Sequence, residues 1–336
     1  MSVDLTIFAS LAFLFGIAAQ FRAADGYVFL RRLIASLEGR LGILYAVVVV
    51  TAVFSPFILN DVLILVLTPV LVRYCKQFKV DITPLLVAEI TFTNISSSLT
   101  PLGNPQNILL WQASGVGARD FVAGTWLPLL ISGVLAVALL FPFKKRTGGA
   151  REMTTPVGSW APAIYLLIVA AGVFSLNLLG VPDVLALAFV FVLGFAFNFR
   201  RLPQVAKEFD VRSLLILCVL VGSVLAAAAV VRPFVEHYVA SAAAGEQPYS
   251  AFFVGALSNV ISNVPATQLV LSTSTVTAHA APILAVEAGL AGNIDPVGSF
   301  ANVLALVMVS RSGIPVRKAI ALQLVIGLVT FLPAFL

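Results

Sequence analysis

Residues 93–107 read Thr-Asn-Ile-Ser-Ser-Ser-Leu-Thr-Pro-Leu-Gly-Asn-Pro-Gln-Asn. The flanking chain is apolar enough for a membrane-spanning helix, yet here three consecutive serines, Pro101, Gly103 and Pro105 remove or expose backbone hydrogen bonds. Lipid cannot satisfy such groups, so a run of this kind at membrane depth needs protein or a water-filled cavity around it. The motif returns 195 residues later, where Pro296–Asn302 (PVGSFAN) matches Pro101–Asn107 (PLGNPQN) in its proline, glycine and final asparagine. Pairing Asn94 with Asn293 by residue type leaves the first copy longer by four residues before the proline, about one helical turn. Two broken helices, Asp81–Trp111 and Ala280–Ser310, therefore organise the chain.

The composition sets the class. Of 336 residues, 60% are hydrophobic and 10% charged, with a mean hydropathy of +1.06. Soluble domains carry about 25% charged residues, so this is a multi-pass cell-membrane protein embedded in a lipid bilayer. Its apolar runs are continuous rather than alternating, which excludes a β-barrel. The net charge of +5 comes from basic residues clustered in short loops, a pattern of orientation signals and not of nucleic-acid binding. Cys75 and Cys218 lie in or beside apolar runs and imply no disulfide framework.

Outward from the breaks, Val3–Gln20 is read as a retained span and Tyr27–Arg40 as an interfacial amphipathic helix. Leu41–Ile58 and Asp61–Phe78 are two apolar arms meeting at Asn60, and Arg119–Phe143 is a span. Ser159–Leu179, Asp183–Phe199, Ser213–Val231 and Val316–Leu336 are further spans, and Arg232–Gly245 is again interfacial. Tyr249–Ser274 is interrupted at Ser262–Pro265. Its first arm would rise only about 21 Å as helix, short of a hydrocarbon core of about 30 Å. It is therefore expected to be a re-entrant hairpin tipped by Asn263, and the first pair of arms is expected to match it by symmetry.

The fold expected is all-α and polytopic, with two inverted repeats and about 8 spans plus 2 hairpins. Residues 1–143 form the first repeat, 144–158 a cytoplasmic linker, 159–212 two connecting spans and 213–336 the second repeat. Both termini are then outside, and 18 of the 20 basic residues are cytoplasmic, Arg119 and Arg232 being the exceptions. Five crossings separate the repeats and invert one relative to the other. Inverted repeats with broken helices are the architecture of secondary transporters.

Asn60, Asn94, Asn263 and Asn293 are amides at the breaks, each offering a carbonyl to a cation and an amino group to an anion. Free N–H groups at half-helix N-termini favour an anion, and unwound carbonyls suit Na⁺. Asp61, Glu89, Glu287 and Asp295 are acids at membrane depth, candidates for cation ligation or, for Asp61, Glu89 and Glu287, proton coupling. His237 and His279 are expected near the outer surface, and Trp111, Trp126 and Trp160 as interface anchors.

With these residues the chain resembles the ion transporter superfamily, and within it the citrate transporter-like and arsenite-permease-like group, related to the divalent anion–sodium symporters. Leu99–Asn107 (LTPLGNPQN) is the most specific match, and the resemblance covers nearly the whole chain. It implies Na⁺ between each hairpin tip and its neighbouring break, a small anion between the tips, an elevator motion and a homodimer. Asn60, Asn94, Thr100, Gly103 and Asn104 would form the first ion site, with Asn107 closing the motif. Ser262, Asn263, Asn293, Asp295, Gly298 and Ser299 would form the second, closed by Asn302.

At the tips the chain departs from the symporters' Ser-Asn-Thr, carrying Leu59-Asn60-Asp61 and Ser262-Asn263-Val264. Two threonine hydroxyls are lost and a negative charge is gained, which weighs against a dicarboxylate substrate and for Na⁺ or H⁺ coupling. The function expected is secondary active transport of a small anion, an organic di- or tricarboxylate or an inorganic oxyanion. A Na⁺/H⁺ antiporter on the same fold is the alternative. An intramembrane enzyme is disfavoured, because no clustered His, Cys or paired acidic motif appears. No cofactor is expected beyond the coupling ion.

Overall fold

Proline, glycine and asparagine punctuate an otherwise apolar chain, and the helices end where they occur. The computed structural model describes residues 6–147, 161–179, 181–212 and 248–336, with scattered residues between 214 and 244. Among these the regular elements are all helical. The first half contains α1 (Thr6–Ala23), α2 (Gly26–Leu41), α3 (Ile43–Phe54), α4 (Asn60–Phe78), α5 (Ile82–Ser97), α6 (Pro105–Ser114) and α7 (Ala118–Leu140). Connecting elements are α8 (Ala161–Leu178), α9 (Asp183–Asn198) and α10 (Leu202–Glu208). The second half contains α11 (Tyr249–Ile261), α12 (Asn263–Thr273), α13 (Ala280–Ala291), α14 (Phe300–Arg311) and α15 (Arg317–Phe331).

Local chemistry accounts for the boundaries at the first break. The Asp81 carboxylate accepts from the Thr83 N–H at 2.9 Å and caps α5. Pro105 stands at the start of α6, where an N–H would have no helical partner anyway. Gly115 ends α6 at φ 67°, a left-handed conformation that glycine adopts without a Cβ clash.

α11 and α12 pack on each other and meet at Ser262–Asn263, whereas α3 and α4, expected by symmetry to form a matching hairpin, each pack on α5 and are joined through residues 55–59. The two broken helices are interrupted between α5 and α6 and between α13 and α14. The first arm is shorter than read from the sequence: α3 stops at Phe54, and residues 55–59 turn into Asn60. Its 12 residues rise about 18 Å. Residues 144–147 of the expected linker continue a 3-10 segment after α7. Trp111 is buried among Leu110, Val116 and Phe121, so it packs the core instead of anchoring an interface. The expected interfacial segment 232–245, with Arg232 and His237, lies outside the described residues apart from two isolated positions. Residues 148–158, Trp160 and much of the expected span 213–231 also lie outside them. The stretches Ala118–Lys144, Val184–Glu208 and Arg317–Phe335 are each long and apolar enough to cross a membrane.

Helix packing has a matched pattern. α3 lies on α5 as α11 lies on α13, and α7 lies on α13 as α15 lies on α5. The second arm of each hairpin packs on the outer half of the other broken helix: α4 on α14 and α12 on α6. Charged contacts gather at one end of the bundle, where Arg201 meets Asp25 at 2.8 Å and Arg311 meets Asp210 at 3.0 Å. Lys76 donates there to the Ser312 carbonyl at 2.7 Å.

Arg22 belongs to the same end but is buried. It pairs with Glu208 at 3.3 Å and donates to the Leu65 carbonyl of α4 at 3.1 Å. Pro69, four residues on, has no N–H to give that carbonyl. Arg22, read from the sequence as an orientation signal, thus also satisfies a backbone group that the proline leaves open.

Candidate functional site

Asn60 and Asn263 start α4 and α12, and each tip is fastened to the break beside it by one backbone bond. The Asn60 N–H donates to the Gly103 carbonyl at 2.9 Å, and the Asn263 N–H donates to the Gly298 carbonyl at 3.2 Å. Each side-chain Oδ1 then accepts from the next N–H, that of Asp61 at 2.8 Å or Val264 at 2.9 Å. α4, α6, α12 and α14 all begin at these tips and breaks. At α4 and α12 the first-turn N–H groups are already taken by the glycine carbonyl, the tip asparagine and the carbonyl of Leu59 or Ser262, so the N–H groups left open are those at the starts of α6 and α14.

The breaks themselves are held by asparagine amides. Asn107 Nδ2 donates to the carbonyls of Ser97 (3.1 Å) and Thr100 (2.8 Å). Asn302 Nδ2 donates to those of Gly292 (2.5 Å) and Asp295 (3.0 Å). The Leu102 N–H donates to Thr100 Oγ1, and the Val297 N–H to Asp295 Oδ1. Every one of these pairs is separated by 195 residues (302 − 107, 292 − 97, 295 − 100, 297 − 102). Gly103 and Gly298 keep the same offset, and each lies against the opposite lip of its loop. A Cβ at Gly103 would stand 2.0 Å from the Ser97 carbonyl oxygen, and one at Gly298 would stand 3.0 Å from Gly292 Cα.

That offset changes one pairing. It sets Asn94 against Gly289 and Asn293 against Ser98, not Asn94 against Asn293 as residue type suggests. The four residues meet where α5 and α13 cross. Asn94 Nδ2 donates to Asn293 Oδ1 (3.1 Å) and Asn302 Oδ1 (2.9 Å), tying the two breaks together. Ser98 Oγ donates to the Asn94 carbonyl at 2.8 Å, and a Cβ on Gly289 would collide with that hydroxyl. The amides of Asn94, Asn293 and Asn302 thus bind one another in this arrangement.

The acids divide into three kinds. Asp61 is buried in the first turn of α4, where the helix dipole favours a negative charge, and its carboxylate has no hydrogen-bond partner among the described residues. Asp295 is committed: its Oδ1 accepts from the N–H groups of Val297 and Gly298, both at 2.8 Å. Glu89 and Glu287 are fully buried within the helix packing. Glu89 accepts from Thr68 of α4 at 2.9 Å, and Glu287 accepts from Ser250 of α11 at 2.6 Å. One glutamate therefore grips a second arm and the other a first arm, so they are not counterparts.

Thr100 donates to the Pro56 carbonyl and ties the first break to the first hairpin turn. Asn104 Nδ2 donates to Ser97 Oγ at 3.2 Å, which leaves its Oδ1 buried without a partner. Ser299 Oγ and Asn263 Nδ2 are also buried and unpartnered, and Ser262 sits at φ 68°. Such groups are available to a hard cation or to the oxygens of an anion.

Several neighbours escape a reading by motif. Gln106, next to the motif asparagines, is fully buried with neither polar atom bonded. Asn259 donates to the Gly255 carbonyl at 2.8 Å and holds its Oδ1 beside Gly298. Gln323 of α15 supports the second break by donating to the Asp295 carbonyl at 3.0 Å, and Thr125 of α7 donates to Leu99 at 3.0 Å at the first. The available signal is an isolated polar residue in an apolar span, which seeks a partner across a helix interface.

Comparison with known proteins gives consistent matches. The family model described as citrate transporter matches residues 1–297. The inner membrane protein YbiR of Escherichia coli (strain K12) is 30% identical over 273 residues, covering 78% of this chain and 68% of that protein. The silicon efflux transporter LSI3 of Oryza sativa subsp. japonica is 31% identical over 153 residues, 44% of this chain and 31% of its own length. The putative transporter arsB of Dictyostelium discoideum is 33% identical over 104 residues, 30% of this chain and 18% of its own length.

Proposed function

The chain belongs to the citrate transporter family of integral membrane transporters, and on that premise we propose that it moves a small anion by secondary active transport coupled to Na⁺ or H⁺. The observation that supports this best is the repeated tip-to-break bond, Asn60 to Gly103 and Asn263 to Gly298. It makes two half-sites, each with one open helix N-terminus, that of α6 or α14, for an anion and unpartnered side-chain oxygens for a cation.

The anion sits between the tips, and the coupling ion sits near Asn60, Asn94 and Asp61 or near Asn263, Asn293 and Ser299. Access alternates by an elevator motion of the hairpins and broken helices against the remaining spans, in a homodimer with both termini outside. The relative named as a silicon efflux transporter, with the resemblance to arsenite permeases, keeps inorganic oxyacids beside citrate as candidates.

Accumulation of labelled citrate, silicate or arsenite in proteoliposomes under an inward Na⁺ or H⁺ gradient tests this. Gradient-driven accumulation of one anion is expected, together with a rise in melting temperature when that anion and its coupling ion are both present. Equal uptake with and without a gradient, for every solute, would sink it.

Asp61 gives a second reading its ground. A buried carboxylate with no hydrogen-bond partner suits cation/proton exchange on the same fold. Na⁺-dependent proton movement that no anion alters, and that Asp61→Asn removes, would establish the antiporter instead.

A further inference from the structure

Where α4 and α14 finish, away from the tips, they and the segment after α10 enclose a cavity of about 420 Å³. Pro69, Val72 and Met308 form an apolar wall, and Arg73, Arg212 and Arg311 face it together with Asp210. Asp210 is already engaged, its two oxygens lying 3.1 and 3.0 Å from Arg311 Nη1. Arg73 is stacked on Tyr27, with Cζ 4.4 Å from the ring centroid. Such stacking fixes the guanidinium plane and leaves its N–H edge free to bind. Neither Arg73 nor Arg212 has a carboxylate partner among the described residues. Three guanidinium groups against one carboxylate leave an excess of two positive charges around the cavity.

We propose that this cavity is a binding site for a phosphate group, held by the forks of Arg73 and Arg212 with Arg311 beside them. Guanidinium groups bind phosphate bidentately through two N–H bonds, and basic pockets between spans on the cytoplasmic side take lipid headgroups. The apolar wall suits a phosphodiester that carries acyl chains, and a free phosphate offers the same oxygens. Because Arg73 stands on α4, which begins at the first tip, and Arg311 on α14, which begins at the second break, while Arg212 follows the connecting helix α10, the ligand bridges the two groups of helices. Occupancy therefore stabilises the arrangement seen here, whatever the midplane site carries.

The test uses the purified full chain in dodecyl maltoside micelles and follows thermal unfolding. The probes are dihexanoyl phosphatidylglycerol, dihexanoyl phosphatidylcholine and sodium phosphate at matched ionic strength. Phosphatidylglycerol is expected to raise the melting temperature more than phosphatidylcholine. In the Arg73→Gln/Arg212→Gln double variant, its half-saturating concentration should rise by at least about tenfold. Both arginines are exposed, so the variant keeps its fold. A double lysine variant, which keeps the charge but loses the fork, should fall between the two. A shift from sodium phosphate that also needs both arginines supports the site and names a free anion as its occupant. Equal shifts in wild type and double glutamine variant, or no shift from either phosphatidylglycerol or sodium phosphate, overturn the proposal.

Discussion

The two tip-and-break pairs share their hydrogen bonds but not their acids. At the first, the carboxylate stands on the hairpin tip (Asp61) and the break carries Thr100; at the second, the tip carries Val264 and the break carries Asp295. Thr100 and Asp295 do the same work, each accepting an N–H two residues on and holding its loop closed. Asp295 is thereby spent on the backbone, while Asp61 is buried with its oxygens uncommitted. Two acids that look alike in the sequence are thus a loop cap in one half and a candidate ion ligand in the other.

The largest expected effect tests the shared frame. Alanine at Gly103 would push a methyl group into the Ser97 backbone, which has no flexible side chain to yield, and would displace the carbonyl that Asn60 uses. At Gly298 the added carbon is 3.0 Å or more from its neighbours. Gly103→Ala is expected to cost about 3 kcal/mol or more and Gly298→Ala about 1–2 kcal/mol. Melting temperatures of the two purified variants check the order, and a reversed order would show that the first loop is the more pliant one.

The next comparison sharpens the difference between the two locking amides. Asn107 closes its loop alone, whereas Asn302 closes its loop and also accepts from Asn94 of the other broken helix. Asn302→Ala should therefore cost about 2–4 kcal/mol and Asn107→Ala about 1–3 kcal/mol. Asn94→Ala should recover part of the gap, since a double-mutant cycle of Asn94 with Asn302 reads their coupling directly. Zero coupling would mean that this pair does not join the two breaks and that Asn94 holds them through Asn293 alone.

The helices and breaks were legible because breaking residues are rare in apolar spans, so Pro101, Gly103, Pro105 and Ser262–Pro265 stood out. The register between the halves was not. Matching asparagine with asparagine paired Asn94 with Asn293, while the hydrogen bonds set Asn94 against Gly289, a residue with no side chain to match by type. Arg22 was read only as a charge on the cytoplasmic side. Its contact with the carbonyl freed by Pro69 depends on how α1 crosses α4, and no local pattern encodes that crossing. Glu89 and Glu287 sit near equivalent places in the sequence, but helix rotation aims them at different arms.

Exchange of the acids for amides then separates function from stability. Asp295→Asn replaces an ionised acceptor with a neutral one at two N–H bonds, and should cost about 1–2 kcal/mol while leaving ion-dependent stabilisation in place. Asp61→Asn loses no hydrogen bond and should change the melting temperature little in the absence of ions. It should, however, abolish the increment that Na⁺ or H⁺ provides. An unchanged ion increment in Asp61→Asn, or its loss in Asp295→Asn alone, would reverse the roles assigned to the two halves.

The smallest effect concerns the tips. Ser262 enters α12 at φ 68° and ψ 158°, a region that costs a residue with a Cβ about 1–3 kcal/mol. Its counterpart before α4, Leu59, has φ −46° and ψ 129° and carries no such strain. Ser262→Gly releases the strain but adds freedom to the unfolded chain, a penalty of about 0.5–1 kcal/mol. The hydroxyl contributes little to offset this, since its bond to Asn263 Oδ1 is long at 3.4 Å. The glycine variant should therefore be equal to wild type or more stable by up to about 2 kcal/mol in the absence of ligand. The same change at Leu59 would have no strain to release and would lose a buried side chain. If Ser262→Gly gains stability but loses anion-dependent stabilisation, the strain serves to aim the hydroxyl at the ligand. If it keeps both, the second tip is strained for reasons of chain path alone, and the tips differ in geometry without differing in what they bind.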